Sequence, residues 1–213
     1  MRPPEDWRRA RVTLGIAAVT SAAWFLTWGL NLIPQAAVWA GFIPARIGLL
    51  PDDGSLAPLF LTPLTATLVH AGIMHLLFNM LILLFCGRSV ENILGGRQLV
   101  LLYVLGAYAA AAAHYLTHPA DEMPGIGASG AISAVLGAYA MLFGRNRVRI
   151  ANPRLAVLVH ALWLAAAWVG LQLIVGFTFE AAGNNIGIAA HIGGFLLGLL
   201  LAKPLLLLRY RKA

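Results

Sequence analysis

The 213-residue chain is 60% hydrophobic and 11% charged, with a mean hydropathy of +0.80. A soluble domain carries about 25% charged residues, so a single water-facing globule is excluded and lipid is the solvent for the long apolar runs. The net charge of +7 sits at the ends of those runs, which points to membrane orientation and attraction to anionic lipid rather than to nucleic acid. The single cysteine, Cys86, excludes an internal disulfide framework and a cysteine-ligated zinc site.

Residues 1–11 are a short basic segment carrying Arg2, Arg8, Arg9 and Arg11. The apolar run 12–33 exceeds the about 7–15 residues of a signal peptide's apolar region and reads as an uncleaved first transmembrane helix. Residues 34–67 are punctuated by Pro34, Pro44, Pro51, Pro58 and Pro63 and by Gly41, Gly48 and Gly54. Neither a span nor a strand survives that punctuation, so this is a first outer loop with short helical pieces in the headgroup region. Five further runs, 68–87, 99–116, 128–143, 155–177 and 186–208, are each close to the roughly 20 residues needed to span. The expected fold is all-α: a polytopic six-transmembrane-helix bundle over 12–208, followed by a basic tail, 209–213.

Charge sets the expected orientation. With the N-terminus inside, the inner loops hold Arg88, Arg97, Arg145, Arg147, Arg149 and Arg154, and the tail region holds Lys203, Arg209, Arg211 and Lys212. Together with the N-terminal arginines, that leaves Arg46 alone outside among the 15 basic residues, a strong positive-inside bias. Asp52, Asp53, Asp121, Glu122 and Glu180 fall on the outer side, although acidic residues contribute little to orientation.

Polar groups inside lipid are costly and mark function by default. His75 and Asn79 lie one helical turn apart on the second span, Ser129 and Ser133 one turn apart on the fourth, and His191 lies on the sixth. All three helices run outside to inside. His75 then lies about seven residues into its helix and His191 about five, roughly 10 Å and 8 Å deep. Ser129 opens a short helix after the irregular stretch Pro124-Gly125-Ile126-Gly127. Backbone of that kind at membrane depth must face protein or water, so the polar groups share a depth. Small-residue stripes, Gly187/His191/Gly194/Gly198 on the sixth helix and Gly130/Ala134/Gly137 on the fourth, allow close backbone approach. A serine hydroxyl needs an adjacent base to act as a nucleophile, and His191 is that candidate. The Ser129 backbone at a helix N-terminus, with His75 and Asn79, can stabilise an oxyanion. Without a mid-span acid the arrangement is a dyad, its histidine oriented by packing or by a neutral partner.

His75-x-x-x-Asn79, Gly127-Ala128-Ser129-Gly130 and Ala190-His191-x-x-Gly194-x-x-x-Gly198 occur in this order on these helices, and with them residues 68–201 resemble the rhomboid family of intramembrane serine proteases. The resemblance implies a six-helix core of bacterial type and a Ser–His dyad open to water on the outer side. It also implies cleavage of transmembrane protein substrates, and a mobile fifth helix and following loop, 155–185, as gate and cap. The protein is accordingly expected in a bacterial cytoplasmic membrane with both termini cytoplasmic. Two positions depart from the family. Its Trp-Arg pair in the first outer loop is missing from Leu61-Thr62-Pro63-Leu64. Its aromatic residue one turn after the nucleophile is Ser133 here, whose hydroxyl can hydrogen-bond His191 in place of stacking on it.

Competing functions predict other features. A non-catalytic rhomboid-like protein that binds membrane clients would lack the nucleophile or base, and both are present. A transporter or channel would carry inverted repeats or mid-span charges. A metalloprotease would need a pattern such as His-Glu-x-x-His, which His70 and His75 do not supply. No cofactor and no metal are therefore expected. His70, His114, His118 and His160 read as interfacial, Trp24, Trp28, Trp39, Trp163 and Trp168 as lipid-facing or interfacial packing, and Cys86 as an inert packing residue.

Overall fold

The computed structural model of the protein describes residues 6–50, 54–144, 152–181 and 187–211, with backbone alone for 175–181. The sequence-based readings of Arg2, Asp52, Asp53, Arg145, Arg147, Arg149 and Lys212, and of residues 182–185 of the gate and cap, fall outside the described residues. The helices are α1 (Arg11–Gly29), α2 (Ile33–Ala40), α3 (Thr62–Thr65), α4 (Ile73–Ile82), α5 (Arg88–Leu94), α6 (Gly96–Thr117), α7 (Ser129–Phe143), α8 (Pro153–Ala181) and α9 (Ile188–Tyr210). A π-helical turn, Leu83–Gly87, joins α4 to α5, so Ile73–Leu94 is one apolar helix of 22 residues. Among the described residues five helices are long and apolar enough to cross a membrane, and α7, at 15 residues, is a shorter sixth. The chain is an all-helical, multi-pass membrane bundle.

The first two expected spans shift. The first span ends at Gly29 because Asn31 takes a left-handed φ of 56° and the chain turns directly into α2 at Ile33. The second begins at Ile73, after the extended residues Val69 and Gly72, and runs on to Leu94, where Gly95 (φ 92°) turns it. Arg88 therefore lies within the helix, not in a loop.

The core is the α6–α7–α9 contact. Small residues there replace the interlocking of large side chains, because lipid supplies no hydrophobic drive between helices and close backbone packing must do the work. A Cβ on Gly194 would run into the Gly130 carbonyl, one on Gly198 into the Ala134 carbonyl, and one on Gly137 into the Phe195 carbonyl. On the opposite flank Gly193 lies against Ala109, and Gly106 against Ala131. Gly187 does not belong to this stripe. It is the N-cap of α9, and its nearest neighbour is Ala190 of the same helix.

At the arginine-rich end, Glu91 holds the bundle together. It is 3% exposed, and its carboxylate accepts from the Val12 and Thr13 amides at 2.9 and 2.8 Å and from Thr13 Oγ1 at 2.7 Å. The N-cap of α1, Ala10, has no side-chain oxygen, so a carboxylate from α5 satisfies the orphan first-turn donors. Arg209 of α9 donates to the Asn92 carbonyl at 3.1 Å, and Arg88 lies 4.4 Å over the Trp7 ring.

At the other end the bundle is closed by irregular chain. An α7 of 15 residues spans about 22 Å against a hydrocarbon core of about 30 Å, so it is too short to cross alone, and the chain before Ser129 is irregular. Its backbone is paired, as lipid requires. Phe42 and Gly125 exchange both amide–carbonyl bonds at 3.0 and 2.8 Å, Gly127 N–H donates to the Ala66 carbonyl at 2.9 Å, and Ala45 N–H donates to the Asp121 carbonyl at 3.0 Å. The first loop contains short helical pieces, as its sequence predicts, but it folds over the chain leading into α7. Arg46 is buried in this loop and donates to the Ala57 carbonyl at 3.1 Å.

A valine at Gly198 would force α7 and α9 apart. Overpacking costs about 1–3 kcal/mol in ordinary cores, and a backbone neighbour cannot swing aside as a side chain can. Gly198→Val should therefore lower the thermal unfolding temperature in detergent markedly. Gly15→Ala, whose Cβ meets nothing within 4 Å, should leave it unchanged or raised. Equal melting of the two variants would contradict a core built on backbone contact.

Candidate active site

Ser129 is the first residue of α7, and His191 lies in the first turn of α9. The same close contact that buries Gly130 against Gly194 therefore fixes the separation of their neighbours. Ser129 Oγ lies 2.8 Å from His191 Nε2, and both residues are half-buried. The hydroxyl has one proton and imidazole Nε2 can accept it only if Nδ1 carries the ring proton. Nδ1 lies 2.9 Å from Oε1 of Gln172 on α8, an acceptor placed where an Nδ1–H would need one. Gln172 is itself buried. A second contact from α8 reaches the same residue, since Trp168 Nε1 donates to the His191 carbonyl at 3.3 Å. The Trp168 ring stacks on Phe195, one turn further along α9, at 4.8 Å between centroids.

Gly127 shapes the approach to Ser129. Its φ of 109° is a conformation that favours glycine. A Cβ there would lie 2.7 Å from the His75 ring, so His75 packs directly on the backbone that delivers Ser129. The half-buried His75 faces His70, the ring centroids 4.9 Å apart. Asn79 stands one turn deeper. It is buried, its Nδ2 donates to the His75 carbonyl at 2.8 Å, and among the described residues its Oδ1 has no partner. Among the described residues no hydrogen bond joins Asn79 to Ser129. The structure thus brings Ser129, His191, His75, Gly127, Gly130 and Gly194 together, holds Asn79 behind His75, and places Gly198 one turn further along the packing seam.

Among the described residues no hydrogen bond joins Ser133 to His191. Ser133 is buried on α7, and its Cβ lies 3.3 Å from where a Gly194 Cβ would be. The His191 ring bonds go to Ser129 and Gln172. The physical reason is geometric: Ser133 sits in the α7–α9 seam, whereas Nδ1 faces away from that seam toward α8.

Sequence reasoning misses two contributors. Gln172 is an uncharged polar residue inside an apolar run, and the cost of polarity in lipid is the signal that flags it. His70, whose sequence position reads as interfacial, is fully buried. Its Nε2 accepts from the Ala128 amide at 3.3 Å, and its carbonyl accepts from Trp24 Nε1 at 3.0 Å. It ties the residue before Ser129 to the chain leading into α4. Trp24 is correspondingly buried, while Trp28, Trp39 and Trp163 are exposed.

The arrangement can deprotonate a serine, and a helix N-terminus with an adjacent imidazole can receive negative charge. Any side chain at Gly127 meets both a strained φ and the His75 ring. Strain of this kind costs about 1–3 kcal/mol, so Gly127→Ala should lower the thermal unfolding temperature. Gly72→Ala is the control, at an extended φ of −171° with nothing within 4 Å of the added Cβ, and should not. Equal effects of the two substitutions would contradict a shaping role for Gly127.

Comparison with known proteins gives a consistent set of matches. A family model described as Rhomboid domain matches residues 60–208. Rhomboid-related protein 2 of Mus musculus is 31% identical over 133 residues, covering 62% of this chain and 43% of that protein. Rhomboid protease GluP of Bacillus subtilis is 31% identical over 145 residues, covering 67% and 25%. Rhomboid protease GlpG of Enterobacter sp. (strain 638) is 30% identical over 140 residues, covering 65% and 46%. The chain thus spans about a quarter to just under half the length of these relatives.

Proposed function

The chain belongs to the rhomboid family, and from that premise we propose that it is an intramembrane serine endopeptidase that cleaves transmembrane protein substrates. The observation that carries the reading is the 2.8 Å separation of Ser129 Oγ and His191 Nε2. Ser129 attacks a peptide carbonyl as its proton passes to Nε2. The tetrahedral oxyanion forms beside the first turn of α7, where the Ser129 backbone N–H and the His75 ring supply donors. Asn79, one turn deeper and bonded to the His75 carbonyl, is the further oxyanion donor of this reading. His191 then returns the proton to the leaving amine, and the acyl-enzyme bond to Ser129 is hydrolysed by water activated by the same imidazole. No step calls for a metal or cofactor.

Orientation belongs to the same proposal. The bias of Lys and Arg supports a cytoplasmic side for both termini, in a membrane taken here as bacterial, and on this reading the Ser129 end faces outward. Cleavage falls near the outer face, where water can reach the acyl-enzyme. The irregular, backbone-paired chain over the Ser129 end favours this reading, because such chain at depth borders protein or water rather than lipid.

In a detergent-solubilised assay with transmembrane-segment substrates, Ser129→Ala and His191→Ala should each abolish cleavage while remaining helical and extractable. Wild-type cleavage by either variant would contradict the dyad. A reporter fused in the Asp121 loop should read outside the cell. An inside reading would place the site on the cytoplasmic face and overturn the orientation without touching the chemistry.

A further inference from the structure

An imidazole acting as base without a carboxylate partner can rotate or take the wrong tautomer, and either change removes the acceptor from the nucleophile. Something must hold it. The 2.9 Å contact from His191 Nδ1 to Gln172 Oε1 is the one ring hydrogen bond opposite the serine among the described residues, and Gln172 is 6% exposed. Its neighbours on α8, Leu171, Leu173 and Ile174, are exposed to lipid, and α8 is the least enclosed of the five long helices. A primary amide on such a helix is costly unless it has a partner, and here the partner is the base itself. Trp168, one turn earlier, fixes the register: it bonds the His191 carbonyl and stacks on Phe195. Successive turns of α8 thus grip the backbone and then the ring of His191.

We propose that Gln172 is the positioning residue of the base. Its Oε1 accepts the Nδ1 proton, selects the tautomer with Nε2 free, and holds the ring in the plane that meets Ser129 Oγ. The site is then assembled from three helices, the nucleophile from α7, the base from α9 and the base's orienting group from α8. This rests on the Ser–His reading above. The bland alternative is that Gln172 is only interhelical glue for α8, and it makes different predictions.

The experiment uses the full chain in detergent, with wild type, Gln172→Leu, Gln172→Glu and Ser129→Ala compared for cleavage of one transmembrane substrate. Nuclear magnetic resonance of protein carrying nitrogen-15 histidine is read alongside, with the His191 signals assigned by their loss in His191→Ala. Wild type should show the Nδ1–H tautomer of His191. Gln172→Leu, which cannot accept, should lose the hydrogen-bonded Nδ1 proton. Its kcat should fall about 10–10³-fold with KM nearly unchanged, less than the about 10⁴ lost when a soluble triad's aspartate is replaced. Gln172→Glu keeps an acceptor oxygen at the same reach and should restore both the proton signal and turnover to within about tenfold of wild type. An Nε2–H tautomer in wild type would overturn the proposal without reference to any variant. So would a Gln172→Leu protein of wild-type kcat whose only defect is a lower melting temperature, the result expected of glue. If Ser129→Ala still cleaves, the dyad reading falls and this proposal with it. If Ser129→Ala is inactive and Gln172→Leu is fully active, Gln172 alone is refuted.

Discussion

The close approach of the α7 and α9 backbones governs the rest of the molecule. At Gly130–Gly194, Ala134–Gly198 and Gly137–Phe195 one helix presents a carbonyl where the other lacks a side chain. A contact made of backbone has little freedom, because neither partner can choose another rotamer. Ser129 and His191 stand at its end, so their 2.8 Å separation follows from helix packing rather than from a flexible loop. The third side, α6, closes the seam with Gly106, Ala109 and Ala110. In water the hydrophobic effect would favour large side chains there. In lipid that drive is missing and steric fit replaces it, which explains a core so rich in glycine and alanine.

The ends of the bundle answer to a second constraint, that backbone polar groups at membrane depth need partners. At the arginine-rich end the answer is side-chain capping, with Glu91 on the α1 amides and Arg209 on the α5 carbonyls. At the Ser129 end it is chain pairing. Phe42, Ala66 and His70 take up the polar groups of residues 125–128, so the first loop serves as the support for the chain entering α7. His70 and His75 illustrate the division of labour. The former bonds the backbone of Ala128, and the latter packs on Gly127 beside Ser129.

Much of this is legible in the sequence because lipid simplifies the code. Six apolar runs correspond to six helices, and a handful of polar residues within them single out Ser129, His191, His75 and Asn79. The glycine stripes foretell the α7–α9 contact, apart from Gly187, which caps a helix instead. Direction is what the sequence does not carry. A serine one turn after Ser129 looks suited to touch His191, yet helical phase turns it into the seam, and the ring's far nitrogen faces α8. Gln172 is inconspicuous because it neither titrates nor attacks, whereas holding a proton needs only an oxygen. His70 is hidden by a helix boundary: the apolar run from 68 looks continuous, but Val69 and Gly72 are extended, and the break turns an interfacial residue into a buried one.

On the proposed reading, packing of α7 on α9 makes Ser129 an activated nucleophile. That reading is tested most directly by treating the purified protein with a fluorophosphonate, which modifies only activated serines, and locating the adduct by peptide mass spectrometry. The predicted result is a single adduct on Ser129, formed in wild type and absent from His191→Ala. An adduct on another serine, or undiminished labelling of Ser129 without His191, would contradict it.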